Sequence, residues 1–278
     1  MNFHCPGLII FNDKLTAMYN LVKPGRIFFA IGIIALGILS IVAGDFITGR
    51  PPGWPAAIPG KLIWAIISGT VFVIAGIAII LHKKAGPASL VIGLIIFIYS
   101  FLFRHLPAMF TNDWEGILWS LNAYKTLALS GGAFIVAASF FKKEGSPINR
   151  FISNEKLVFT GIIFLSFFLI IAGCSHFKFA QFVIDFIPAY IPFHAFWTYF
   201  CAIALLAGGV GILIKQTRKL AATLSGLMIF GWFILLHIPR FINAPGDPSD
   251  RMGLCESLAI SGILFVLAGM SSKENTRQ

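Results

Sequence analysis

Four of the six histidines, His105, His176, His194 and His237, fall near Asp45, Arg104, Asp185, Arg240 and Glu256 once the apolar segments are laid out. An imidazole titrates near neutral pH and can pass a proton or hold a polar head group. One combination occurs twice: Arg104-His105-Leu106-Pro107 and His237-Ile238-Pro239-Arg240 each place a proline two residues after a histidine, with an arginine adjacent. A structural reading accounts for both, because proline stops a helix, the helix dipole favours histidine at a C-terminus, and arginine snorkels to lipid head groups. In the functional reading these side chains line an outward-facing pocket for an anionic or carbonyl-bearing head group. The candidate ligand-binding set is then His237, Arg240, His105, Arg104 and His176, with Glu256 and Asp45 as supporting acids. The sequence offers no nucleophile–base set and no nucleotide loop. The histidine pairs also have no carboxylate or cysteine at metal-ligand spacing.

The elements that hold these residues follow from composition. Of 278 residues, 58% are hydrophobic and 12% charged, with 29 Phe and 27 Gly. Mean hydropathy is +0.87. A soluble domain carries about 25% charge, so disorder, a disulfide scaffold and an ordinary cytosolic enzyme are excluded. The expected class is an all-α membrane protein. About 20 apolar residues cross a bilayer core, which predicts eight spans over residues 27–46, 62–81, 87–104, 117–140, 157–174, 194–214, 220–238 and 255–270. No helix among them reads as broken at mid-membrane.

The net charge of +10 is a topology signal and not a nucleic-acid footprint. With the N-terminus inside, fourteen Lys and Arg fall in cytoplasmic segments and seven outside. The positive-inside rule then predicts both termini cytoplasmic in a bacterial inner (plasma) membrane. Residues 1–24 carry Asp13, Lys14 and Lys23 and read as an interfacial cytoplasmic segment, not a signal peptide.

The chain reads as two parallel copies of a four-helix unit. Gly32-Ile-Ile-Ala-Leu and Ala43-Gly44 match Gly161-Ile-Ile-Phe-Leu and Ala172-Gly173 at an offset of 129 residues. Trp64 matches Trp197, Gly93 matches Gly226, His105 matches His237, and Lys125-Thr-Leu-Ala-Leu-Ser-Gly131 matches Glu256-Ser-Leu-Ala-Ile-Ser-Gly262. Ordered matches at near-constant spacing mark an internal repeat. The units are residues 25–141 and 156–271, joined by a linker over 142–155, with a cytoplasmic tail over 272–278. Lys125 and Glu256 hold equivalent positions and are placed to pair across the repeat axis.

The first outer loops, Pro51–Trp64 and Ile187–Trp197, interleave prolines with aromatics. Membrane-interface anchoring explains that pattern; a lid that brings His194 to the other histidines is the alternative. Small-residue runs at Ser130–Ala133 and Ala207–Gly211 suit close helix packing. Cys5, Cys174, Cys201 and Cys255 form no C-x-x-C pair. They read as small packing residues, with a Cys174–Cys255 disulfide as the alternative.

Gly173-Cys-Ser-His176-Phe177, the Pro188 and Pro192 loop, and Gly208-Gly-Val-Gly-Ile-Leu213 running into Arg218-Lys-Leu-Ala-Ala222 together resemble the DoxX-like membrane family. The resemblance extends over both copies and implies a tandem duplication of that four-helix module. It implies functions linked to quinone-coupled sulfur oxidation, thiol and oxidative-stress complexes, or assembly of partner membrane proteins. The first expectation is therefore a non-catalytic accessory or assembly subunit, in the bilayer, with another membrane or redox protein as partner. The alternatives are an oxidoreductase that takes a quinone in the His/Arg pocket, and a small-solute transporter.

Overall fold

The computed structural model describes residues 21–46, 54, 59–111, 121–140 and 155–274, and no strand occurs among them. In a bilayer every backbone donor and acceptor must be satisfied inside its own segment, and the long Ile, Leu, Phe and Gly runs accordingly form helices. These are α1 (Val22–Ala43), α2 (Lys61–Ile80), α3 (Ala85–Ile95), α4 (Leu106–Thr111), α5 (Leu121–Ser139), α6 (Glu155–Lys178), α7 (Ala180–Phe186), α8 (His194–Leu213), α9 (Arg218–Trp232), α10 (Ile238–Asn243) and α11 (Pro248–Glu274). Two π-helical stretches, π1 (Ile96–His105) and π2 (Phe233–His237), join α3 to α4 and α9 to α10.

Seven helical segments among the described residues are long and apolar enough to cross a membrane: Val22–Ala43, Lys61–Ile80, Ala85–Phe110, Glu155–Lys178, His194–Leu213, Arg218–Asn243 and Pro248–Ser271. The chain is thus an all-α, multi-pass membrane protein. The sequence-predicted fourth span corresponds to α5, whose first turns carry Asn122, Tyr124 and Lys125; its residues 117–120 lie outside the described residues, as do residues 1–20 of the interfacial segment.

Two expectations are corrected. Pro107 and Pro239 do not end their helices, which continue as α4 and α10, so the third and seventh spans reach Phe110 and Asn243. Nor are these spans regular, since each leaves α-helical bonding just before its proline. A proline lacks the N–H that would bond four residues back, and a switch to wider turns moves that missing donor to the start of a new helix, where it is harmless. The carbonyl freed by Pro239 belongs to Leu235, and the Tyr190 hydroxyl donates to it.

Two helices form the interior. From Thr126 to Ala138 every residue of α5 is buried. In α11, 94% of the most apolar window is buried inside the protein, against 22–44% in the other six spans, which keep a face for lipid. α1 packs along α2 and α11, while α6 packs along α8 and α5. Glycines set the closest crossings: a Cβ on Gly262 would lie 2.6 Å from the Gly25 carbonyl oxygen, and one on Gly161 would collide with that of Gly131. Such backbone-to-backbone approach replaces the hydrophobic drive that helices lack in lipid.

Candidate functional site

A cavity of about 610 Å³ opens between α6, α7, α8 and the α9–π2 segment, with the first turns of α5 closing one side. Its walls carry six large rings, Phe168, Phe179, Phe182, Phe186, Trp197 and Trp232. α7 supplies the cover. Phe179 leaves helical geometry at φ −113° and ψ 38°, which ends α6 and starts a separate short helix. Phe179, Phe182, Val183 and Phe186 then face the cavity at helical spacing. On its other face Gln181 donates to Asp185 at 2.8 Å.

The cover is tied down at two points. Arg240 on α10 lies with its guanidinium 3.7 Å from the Phe186 ring centre and donates to the Phe186 carbonyl at 3.3 Å. The same guanidinium meets Asp250 of α11, with Nε 2.8 Å from Oδ1, and that acid is 4% exposed. Tyr190, beyond the cover, reaches the Leu235 carbonyl on π2.

Polar groups interrupt the apolar wall at a few places. His176 places Nδ1 2.7 Å from the Ala172 carbonyl, Ser175 donates to Ile171 at 2.8 Å, and Thr198 donates to His194 at 3.0 Å. Trp232 donates from Nε1 to the Cys201 sulfur at 3.0 Å, and its ring meets Trp197 edge-on at 6.0 Å between centres. Asn122 and Lys125 enter from α5, His237 from π2, and Ser249 from the start of α11. Behind the wall, Lys125 Nζ lies 3.2 Å from Glu256 Oε2, two residues expected from the sequence to pair.

In the first half of the chain, rings and charged groups pack against one another. Phe46, 1% exposed, packs against Phe72 and Tyr99, and Tyr99 packs on Trp64 with ring centres 5.3 Å apart. Arg104 is buried and donates to the Phe46 carbonyl at 2.6 Å. Asp45 pairs with Lys61 at 3.4 Å, and His105 is buried with no hydrogen-bond partner for Nδ1.

The structure therefore brings His176 and His237 to one cavity. Arg240 stands behind its cover, Glu256 stands behind Lys125, and His105, Arg104 and Asp45 sit in the first half. His194 does not line the cavity; α7 covers it, and Ile187 and Trp197 at the two ends of the loop that carries His194 stand in the wall. Cys174, Cys201 and Cys255 are free thiols, which removes the Cys174–Cys255 disulfide, and Cys5 lies outside the described residues. Among the described residues no group of three or more His, Cys, Asp or Glu could hold a metal ion. Sequence reasoning missed Asp250, Thr198 and the cover helix. The 3–4 spacing of Phe179, Phe182, Val183 and Phe186 was the available signal.

A family model described as Domain of unknown function (DUF8561) matches residues 165–252. All the cavity-lining residues except Leu121, Asn122 and Lys125 fall inside that stretch. No curated protein and no solved structure matches the chain.

Proposed function

We propose that the chain is a multi-pass protein of the bacterial inner membrane that binds a small amphipathic molecule in the α6–α9 cavity and serves as an accessory subunit without chemistry of its own. The observation that carries this reading is the cavity itself, about 610 Å³ in volume, walled by six aromatic rings and interrupted by a few polar groups. Sites of this kind take apolar bodies and fix their orientation through a few convergent contacts. The accessory role rests on the resemblance to DoxX-like modules and on the absence of a catalytic motif in the sequence.

An eighth crossing by α5 belongs to the proposal. α5 starts at the cavity, beside the last turn of α6, and ends at Ser139, where Arg26 of α1 donates Nε to its hydroxyl at 2.9 Å. Eight crossings put both termini on one side, and the basic loops make that side the cytoplasm. The repeat is part of the same reading. At the offset of 129 residues Phe46 corresponds to Ser175, so one copy carries a ring where the other has a small hydroxyl that lines the cavity.

Two further readings have a specific feature behind them. Flat ring walls would also suit a quinone, as an oxidoreductase would need, and the two π-helical breaks are irregularities of the kind transporters use. Native mass spectrometry of the protein in nanodiscs made from its own membrane tests the main reading. A small ligand on the wild type that is absent from Ser175→Phe supports the cavity site. An identical small-molecule complement on both proteins defeats it. Orientation is read by a membrane-impermeant maleimide, which should label Asp247→Cys and not Lys84→Cys in intact cells.

A further inference from the structure

Several polar side chains of the cavity wall have already spent their hydrogens. Ser175 gives its hydroxyl hydrogen to the Ile171 carbonyl and Thr198 gives its own to the His194 carbonyl. A carbonyl can only accept, so the His176 nitrogen at 2.7 Å from Ala172 carries the hydrogen, and the neutral ring keeps a lone pair on Nε2. On the α6 and α8 side the cavity thus presents acceptors. The α5 side brings the Asn122 amide, which can donate as well as accept, and the Lys125 ammonium, which is paired with Glu256.

From this division we infer that the cavity selects an apolar molecule bearing a hydroxyl group, an alcohol or a phenol; the inference rests on the reading that the cavity binds a ligand. A hydroxyl donates its hydrogen to the acceptor side and accepts on its oxygen from the α5 side. A ketone, quinone, ether or carboxylate oxygen only accepts, so it could meet the α5 side but would give no hydrogen to Ser175, Thr198 and His176. A buried polar group left without its partner costs more than a made hydrogen bond gains. An alkylammonium would satisfy the acceptors but would bury its charge in a lining that holds no Asp or Glu to pair with it. The six rings set the rest of the ligand as flat or branched hydrocarbon.

Isothermal titration of the full chain in nanodiscs separates these chemistries, with 1-naphthol, 1-methoxynaphthalene, 1-methylnaphthalene and 1,4-naphthoquinone as probes. Ser175→Phe protein in the same nanodiscs supplies the lipid-partition blank. The expected result is saturable binding of 1-naphthol about tenfold tighter than the methoxy compound and the quinone, the value of one well-placed hydrogen bond. Thr198→Val and His176→Phe should bring the naphthol preference towards unity and leave 1-methylnaphthalene unchanged. Methoxynaphthalene or naphthoquinone binding as tightly as naphthol overturns the hydroxyl assignment while the binding site stands. No saturable binding above the blank for any probe removes the site itself.

Discussion

The Lys125–Glu256 pair joins the two interior helices, and its removal should cost more from one side than from both. The nitrogen and oxygen lie 3.2 Å apart, with side chains 19% and 7% exposed. Coulomb's law at an effective dielectric of about 20 gives about 5 kcal/mol of attraction at that distance. Desolvating both charges offsets most of it, so the net worth of the intact pair is small. Glu256→Leu or Lys125→Met alone leaves the other charge without its nearest counter-charge at the α5–α11 contact. The expected loss is about 3 kcal/mol, the lower end for a broken buried pair because Lys125 keeps some exposure. Lys125→Met with Glu256→Leu should fall within about 1 kcal/mol of the wild type, since shape is kept and no charge is stranded. Reversible unfolding in mixed detergent and SDS micelles measures all four proteins of the cycle. The coupling expected is about 5 kcal/mol, because two single losses of about 3 kcal/mol collapse to about 1 kcal/mol or less in the double variant. Losses that add to within about 0.5 kcal/mol would show that the charges do not interact and that the helices are held by packing alone.

Other outcomes follow from packing and from the cover. Gly262→Val should prevent assembly or cost over about 3 kcal/mol, because its Cβ would meet the Gly25 carbonyl and the Phe29 amide, which are backbone and cannot move aside. Gly231→Ala is the matched control: nothing lies within 4 Å of its Cβ position, so stability should hold or rise by up to about 1 kcal/mol on the same micelle assay. Asp250→Asn weakens the hold of Arg240 on Phe186, so hydrogen exchange across Ala180–Phe186 should rise while α5 stays protected. Ser175→Phe should retain the wild-type unfolding midpoint to within a few degrees and lose naphthol binding, as the ring takes up the cavity.

The helices were legible because lipid imposes one rule on every span, and the apolar runs obey it. Their ends were less so. The pattern around Pro107 and Pro239 reads as a stop when judged by the missing N–H alone, and nothing local in Phe101–Arg104 or Phe233–Leu236 announces that wider turns will absorb it. His176 and His237 both line the cavity, and what marked them in the sequence was their position near the ends of apolar runs. That His105 does not line the cavity with them was not legible, since it is set by long-range packing and not by its sequence neighbours. Arg240 shows the same limit: its sequence neighbours suggested a pocket residue, while Asp250, ten positions on, turned it into a clamp on Phe186.

The partnership of α1 with α11 has a consequence for how the protein is made. α1 completes one of its two closest packings only when α11 arrives, some two hundred codons later. At ribosomal speeds of about 5–20 residues per second, that interval is about 10–40 s. Throughout it the small-residue face of α1 at Gly25 and Gly32, shaped for Gly262, Ala259 and Cys255, has only lipid or an insertion factor against it. The chain closes like a clasp, and a ribosome that stalls before α11 leaves a membrane protein with its seam open.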